Sequence, residues 1–258
     1  MLPNFLIIGA QRGGTTSLYN YITKHPKIIP ALQKEIHFFD INFNKGIQWY
    51  QSHFQQNSFF SLLYYTKKFK DCITCEASPY YIYHPHVPKR ISKIIPDVKL
   101  IALLRNPIER AFSHYHHEVK LGIEKISFED AIKEEPKRLN GELKKMLEDE
   151  FYYSFNHQNF SYLERGIYIE QLENWEKFFP KKQILILSSE EFYSNPDKIC
   201  NDVFDFLGLP IIKIKKAKIF NKGNYQKMAD KTRIELVEYF KPHNEKLYNF
   251  LKRDFGWK

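Results

Sequence analysis

A doubly wound α/β sheet, with helices on both faces and a helical insertion, is the fold this sequence predicts. Three observations predict it. Short apolar runs that suit strands buried on both faces recur at 4–9, 98–104 and 183–187. Helix signals follow each run. Between about 124 and 160 the chain turns charged and helical, with no strand signal.

The first run, Asn4-Phe-Leu-Ile-Ile-Gly9, ends in glycine and leads into Gln11-Arg-Gly-Gly-Thr-Thr16. Ser17 to Ile22 then carries Leu18, Tyr21 and Ile22 at i, i+3, i+4, a helical period. Ile73-Thr74, between Cys72 and Cys75, suits a buried strand. Val98 to Leu104 is the second major strand, and Asn106-Pro107 sets proline where a helix begins, running through Tyr115. The insertion predicts helices around Phe128–Ile132 and Leu143–Phe151 and ends in the polar Asn156-His-Gln-Asn159, a suitable substrate-facing lid. Gln183 to Leu187 is the third strand, and Glu190-Glu191 suit a helix start beside its positive dipole end. Lys231 to Leu251 predicts two helical pieces separated at Pro242. Strands separated by helices pair in parallel through right-handed crossovers. With no internal repeat and no linker, residues 1–258 are expected to form one domain.

Composition narrows the function classes. Hydrophobic residues make up 43% of the 258 and aromatics 16%, which excludes disordered and low-complexity material. No run of ~18 apolar residues suits a membrane span, and Phe5 to Ile8 lacks a secretory leader's charge pattern. Three cysteines (Cys72, Cys75, Cys200) make no disulfide framework, and core packing accounts for them. A cytoplasmic protein is the resulting expectation. With 39 Lys and Arg against 30 Asp and Glu, the net charge of +9 favours an anionic partner. The basic residues are dispersed, apart from the run at 213–218, and no nucleic-acid motif appears, so nucleic acid is not the expected partner.

A strand, glycine loop and helix start form a phosphate cradle, because backbone N–H groups and the helix dipole converge there. Gly9-Ala-Gln-Arg-Gly-Gly14 has the glycine spacing of a P-loop, making the sheet P-loop-like. An NTP-binding loop continues with Lys and Ser/Thr, for the β/γ-phosphates and Mg²⁺. Here Thr15-Thr16 follow, and Arg12 inside the loop is the nearest cation. A small-molecule kinase using ATP and Mg²⁺ remains the alternative reading, and a non-catalytic polyanion-binding module a third. The histidines His114, His116 and His117 lack carboxylates in metal spacing, so no metal is expected.

The stretch Gly9-Ala-Gln-Arg-Gly-Gly-Thr-Thr-Ser-Leu-Tyr19 resembles the 5′-phosphosulfate loop of sulfotransferases that use 3′-phosphoadenosine 5′-phosphosulfate (PAPS). Their second signature, a strand followed by Arg-x-Pro-x-x-Arg-x-x-Ser, is matched by Arg105-Asn-Pro107 through Arg110 to Ser113. Lys34-Glu-Ile-His-Phe-Phe-Asp40, Glu76-Ala-Ser-Pro-Tyr80, Asn221-Lys-Gly223 and Asp254-Phe-Gly-Trp257 extend the likeness over nearly the whole chain. The branch it resembles is that of the heparan sulfate N- and 3-O-sulfotransferases. Three departures stand out. Ala77 occupies a position where those enzymes usually carry lysine, Asn224 one where arginine is common, and Arg12 replaces the usual loop lysine.

The resemblance implies PAPS as donor, 3′,5′-ADP as product, and donor contacts from Arg12, Gly13, Gly14, Thr15, Thr16, Ser17, Arg105, Ser113, Lys222 and Gly223. It implies Glu35 as general base for the acceptor's proton. Arg12 would offset charge on the leaving phosphate oxygen, and His37 would assist or orient the acceptor. Lys34 and His37 are the implied substrate contacts, with Asp40 as an orienting group. The acceptor class implied is a saccharide or a small alcohol or amine. Lipid-linked sugars and polyketides stay open.

Overall fold

A computed structural model of the chain describes residues 1–54, 71–214 and 227–257. Its centre is a five-stranded sheet in the order β2-β3-β1-β4-β5, built from β1 (Phe5–Gly9), β2 (Ile28–Pro30), β3 (Ile73–Ala77), β4 (Lys99–Leu104) and β5 (Ile184–Ser188). Every pairing is parallel.

The apolar runs of β1 and β4 lack alternation because both of their faces are covered. Successive side chains still point to opposite sides. Leu6, Ile8, Leu100, Ala102 and Leu104 pack on one face with Ile108, Ala111 and Phe112 of the Pro107–Lys120 helix, and with Trp175 and Phe240. Phe5, Ile7, Ile101 and Leu103 pack on the other with Leu18 and Ile22 of the Thr15–Ile22 helix, and with Val203 and Phe204. The doubly wound fold expected from the sequence is therefore present. Cys75 and Cys200 are buried in the second cluster, as packing residues.

The segment around 124–160 forms helices Phe128–Leu139, Glu142–Glu148 and Phe155–Asn159. Ser127 caps the first by accepting from Asp130 N at 3.2 Å. The two C-terminal pieces expected around Pro242 are instead one helix, Asp230–Leu251, with Pro242 inside it. Pro242 lies on the exposed side, where water can satisfy the carbonyl that its missing N–H leaves unbonded. No helix of the described residues is long and apolar enough to cross a membrane.

Candidate active site

The chain leaves β1 toward one face of the sheet and β4 toward the other, so a crevice opens beyond their carboxyl ends. Open α/β sheets bind ligands at such switch points. A cleft of about 180 Å³ lies there, lined by residues 11, 12 and 14–17 after β1, by Arg105, Ser113 and His117 after β4, and by Glu35, Pro79 and Tyr193.

Steric limits set the glycine loop. A Cβ on Gly13 would stand 2.4 Å from the Leu103 carbonyl of β4, and one on Gly14 (φ +95°) would stand 2.7 Å from the Tyr193 hydroxyl. Gly13 N–H donates to Ala10 O at 2.9 Å, so Gly13 lets the loop lie against β4. The Thr15–Ile22 helix begins without a side-chain cap, and its first residues, Thr15 to Ser17, line the cleft. Thr15 and Ser17 are buried, and Thr16 is partly exposed.

The two sequence signatures meet through their side chains. Arg12 Nε donates to Ser113 Oγ at 3.1 Å, and Arg105 Nη1 donates to Arg12 O at 3.1 Å. Asn106 caps the Pro107–Lys120 helix by accepting from Ile108 N at 3.0 Å, which fixes where Ser113 and His117 project. Behind the loop, the fully buried Arg165 donates to the Gln11 side chain and, at 2.9 Å, to His157 O.

Segment 34–40 reaches the cleft from the other side through Glu35, with Lys34, His37 and Asp40 behind it. Glu35 N donates to Ala77 O at 3.1 Å, and His37 N to Ser78 Oγ at 3.1 Å. The Tyr81 hydroxyl accepts from Phe38 N at 2.9 Å and Phe39 N at 3.2 Å. These bonds hold Glu35 and His37 at φ 63° and 54°. Arg12 has φ 67°, so three of the four non-glycine residues with positive φ among the described residues are the three expected catalytic groups. Such outliers tend to gather at functional sites.

The segment is also a charge relay in form. Asp40, its side chain 0% exposed, holds His37 Nδ1 at 2.7 Å, and His37 Nε2 lies 3.8 Å from Glu35 Oε2. Lys34 Nζ contacts Glu35 Oε1. Burial alone would lower the His37 pKa, but Asp40 and Glu35 raise it to about 10, so the ring is cationic at neutral pH. Burial alone would raise that of Glu35, but His37 and Lys34 hold it at about 2. Cleft and segment together carry Arg12, Arg105, Lys34 and cationic His37 against Glu35 and Asp40, an excess of positive charge suited to an anionic ligand.

Most expected site residues thus gather at one place. Lys222 and Gly223 lie outside the described residues. Of the histidine trio, His117 reaches the cleft, His114 is buried 3.2 Å from Glu118 Oε1, and His116 packs edge-on against Phe112. Gln11, Pro79, His117 and Tyr193 line the cleft without having been assigned to the site from the sequence. Gln11 and Pro79 sit inside motifs visible in the sequence, and His117 lies one helical turn past Ser113. Tyr193 carries no local signal, because only the β4–β5 pairing brings it there. Tyr50, Tyr80 and Tyr81 are core, at 0–4% exposure.

A sulfotransferase domain profile matches residues 2–253. The chain is 31% identical over 321 aligned residues to the membrane-associated sulfotransferase kil1 of Dictyostelium discoideum, covering 99% of this chain and 66% of that protein. It is 29% identical to the heparan sulfate glucosamine 3-O-sulfotransferase 3B1 of Homo sapiens, covering 99% of this chain and 65% of that protein. The crystal structure of a sulfotransferase from Alicyclobacillus acidocaldarius superposes with a TM-score of 0.75 at 27% identity, covering 99% of this chain and 98% of that one. The resemblance to the heparan sulfate branch is therefore borne out, while the chain spans just under two thirds of the length of these curated relatives. The cytoplasmic location expected from the sequence is overturned by the first relative, which is named membrane-associated. The missing apolar run, leader pattern and disulfide framework were its basis, and none of these bears on a protein that lies on or is anchored to the bilayer without spanning it.

Proposed function

The chain belongs to the sulfotransferase domain family, and we propose that it transfers a sulfuryl group from PAPS to a hydroxyl or amine of a saccharide. The observation that carries this reading is the convergence of Arg12, Ser113 and Arg105 at the switch point, facing Glu35 across the cleft. The residues fit such a donor: a loop that only glycine allows to lie against β4, an uncapped helix start, and arginines whose planar forks suit phosphate. The name of the 3-O-sulfotransferase relative favours a saccharide acceptor.

The bound donor supplies the sulfuryl group and leaves as 3′,5′-ADP. Arg105 and Ser113 would bind its 3′-phosphate, and Arg12 with the N–H groups of Gly14 to Ser17 its 5′-phosphate. Lys222 and Gly223 are assigned to the donor by resemblance alone. Arg12 offsets charge on the leaving oxygen, the form of help that group transfer with little covalent work by the protein requires. Glu35 takes the acceptor's proton. In the free protein its basicity is suppressed by Lys34 and His37. An anion in the cleft competes for those cations and raises the carboxylate toward the range where a general base is effective. Asp40 keeps His37 protonated and oriented, and Lys34 and His37 face the transferred group and the acceptor.

Glu35→Gln is expected to lower sulfate transfer from labelled PAPS by ~10² to 10⁴ while 3′,5′-ADP binds at least as tightly as in the parent. Full turnover in that variant removes the base assignment. Arg105→Ala binding 3′,5′-ADP as tightly as the parent removes the donor assignment.

A further inference from the structure

The peptide unit joining Arg105 to Asn106 is held from both sides. Its carbonyl accepts from the Tyr168 hydroxyl at 2.8 Å, and its N–H donates to Glu190 Oε1 at 2.8 Å. Trp257 touches both holders. Its indole Nε1 donates to Glu190 Oε2 at 3.2 Å, and its ring centroid lies 5.8 Å from that of Tyr168. Ser188 Oγ also donates to Glu190 Oε2, at 2.9 Å, so both carboxylate oxygens are engaged.

Strand register creates this arrangement. Leu104 of β4 pairs with Ser188 of β5, so Arg105-Asn106 and Ser189-Glu190 leave the sheet side by side. Residues 253–257 are anchored next to them. Arg253 contacts Glu191 and donates to Ile186 O at 3.3 Å, and Phe255 stacks on Trp257 at 4.6 Å. Burial raises the Tyr168 phenol to about 12, so it remains a donor through the neutral range.

The orientation of this peptide sets the direction in which Arg105 leaves the backbone. The Arg105 guanidinium reaches Arg12 O and lines the cleft. A planar fork recognises phosphate only when its angle is right, so a small rotation of the peptide misaims its donors. We propose that Glu190 and Trp257 are positioning residues for the donor site: they fix the Arg105–Asn106 peptide and thereby aim Arg105 at the 3′-phosphate. This rests on the donor reading of the cleft given above.

Charge gives the proposal an unusual sign. Removing a carboxylate beside a cationic cleft should by electrostatics alone strengthen anion binding. A positioning role predicts weakening. The test is calorimetric titration of 3′,5′-ADP and, separately, 5′-AMP into the parent, Glu190→Ala, Glu190→Gln and Trp257→Phe. Glu190→Ala and Trp257→Phe should raise the dissociation constant for 3′,5′-ADP about tenfold, the scale of one lost charge-assisted hydrogen bond. Affinity for 5′-AMP, which lacks the 3′-phosphate, should stay at the parent's value. Glu190→Gln keeps an acceptor for the Asn106 N–H but turns an NH₂ toward the Trp257 N–H, so its loss for 3′,5′-ADP should not exceed that of Trp257→Phe. Equal losses for both nucleotides mean a merely structural role, and unchanged or tighter 3′,5′-ADP binding in Glu190→Ala likewise overturns the proposal. If Glu190→Ala does not fold, Trp257→Phe, which keeps an aromatic ring against Tyr168 and Phe255 but gives up the indole N–H, decides alone. A parent that does not prefer 3′,5′-ADP to 5′-AMP overturns the donor reading itself, and this inference with it.

Discussion

Arg12, Glu35 and His37 occupy left-handed backbone that side-chain-bearing residues seldom adopt, at a typical cost of about 1–3 kcal/mol each. Glu35 and His37 are held there by β3 and its exit, through Ala77 O and Ser78 Oγ. Their titration should be visible in stability. His37 is raised from 6.5 to about 10, so its contribution is fully present below pH 6.5 and is lost as pH rises through about 10. Glu35 is lowered from 4.5 to about 2, so its contribution is present above pH 4.5 and is lost as pH falls through about 2. Melting temperature followed against pH should fall between 6.5 and 10 in the parent, and less in Asp40→Asn, which removes the largest of the groups raising His37. Parallel curves for the two proteins would contradict the His37–Asp40 coupling.

At the scale of the element, the strand, glycine loop and helix after β1 was legible because glycine spacing and helical period are local properties. The constraint on Gly13 is not local. It comes from the Leu103 carbonyl, 2.4 Å from where a Cβ would stand and on a strand far along the chain. Gly13→Ala therefore forces the loop away from β4, and overpacking of this kind costs about 1–3 kcal/mol. The melting temperature should drop by roughly 2–4 °C for each kcal/mol in a chain of this size. Loss of 3′,5′-ADP binding should accompany it, read by calorimetry below the midpoint. A Gly13→Ala protein with the parent's melting point and affinity would mean that the loop has room to spare. Elements whose signal is short escaped sequence reading, as with the three residues of β2 ending in Pro30. Pro242 misled it, because a proline's effect depends on whether its neighbours face solvent.

For the whole molecule, a ligand that binds only the folded state stabilises it by mass action. At ~100 times its dissociation constant, 3′,5′-ADP should add about 2.7 kcal/mol without any metal. The midpoint should then rise by roughly 2–4 °C for each of those kcal/mol. ATP with Mg²⁺ at the same concentration should give a much smaller shift, since Thr15-Thr16 stand where a nucleotide triphosphate loop carries lysine and a hydroxyl for the metal. The reverse pattern would put the kinase reading first.

The sequence by itself determined the α/β class, the phosphate-cradling loop and the Arg105–Ser113 signature, because each depends on residues close together in the chain. It also supplied Glu35, His37 and Lys34, through a short motif of recognisable type. Only the tertiary structure decided that Arg12 meets Ser113 across 101 positions, that Ser78 holds the His37 N–H, and that Tyr193 and Glu190 arrive beside the cleft. Those contacts are set by parallel strand order and register. Register is a property of paired strands, so no single segment carries it.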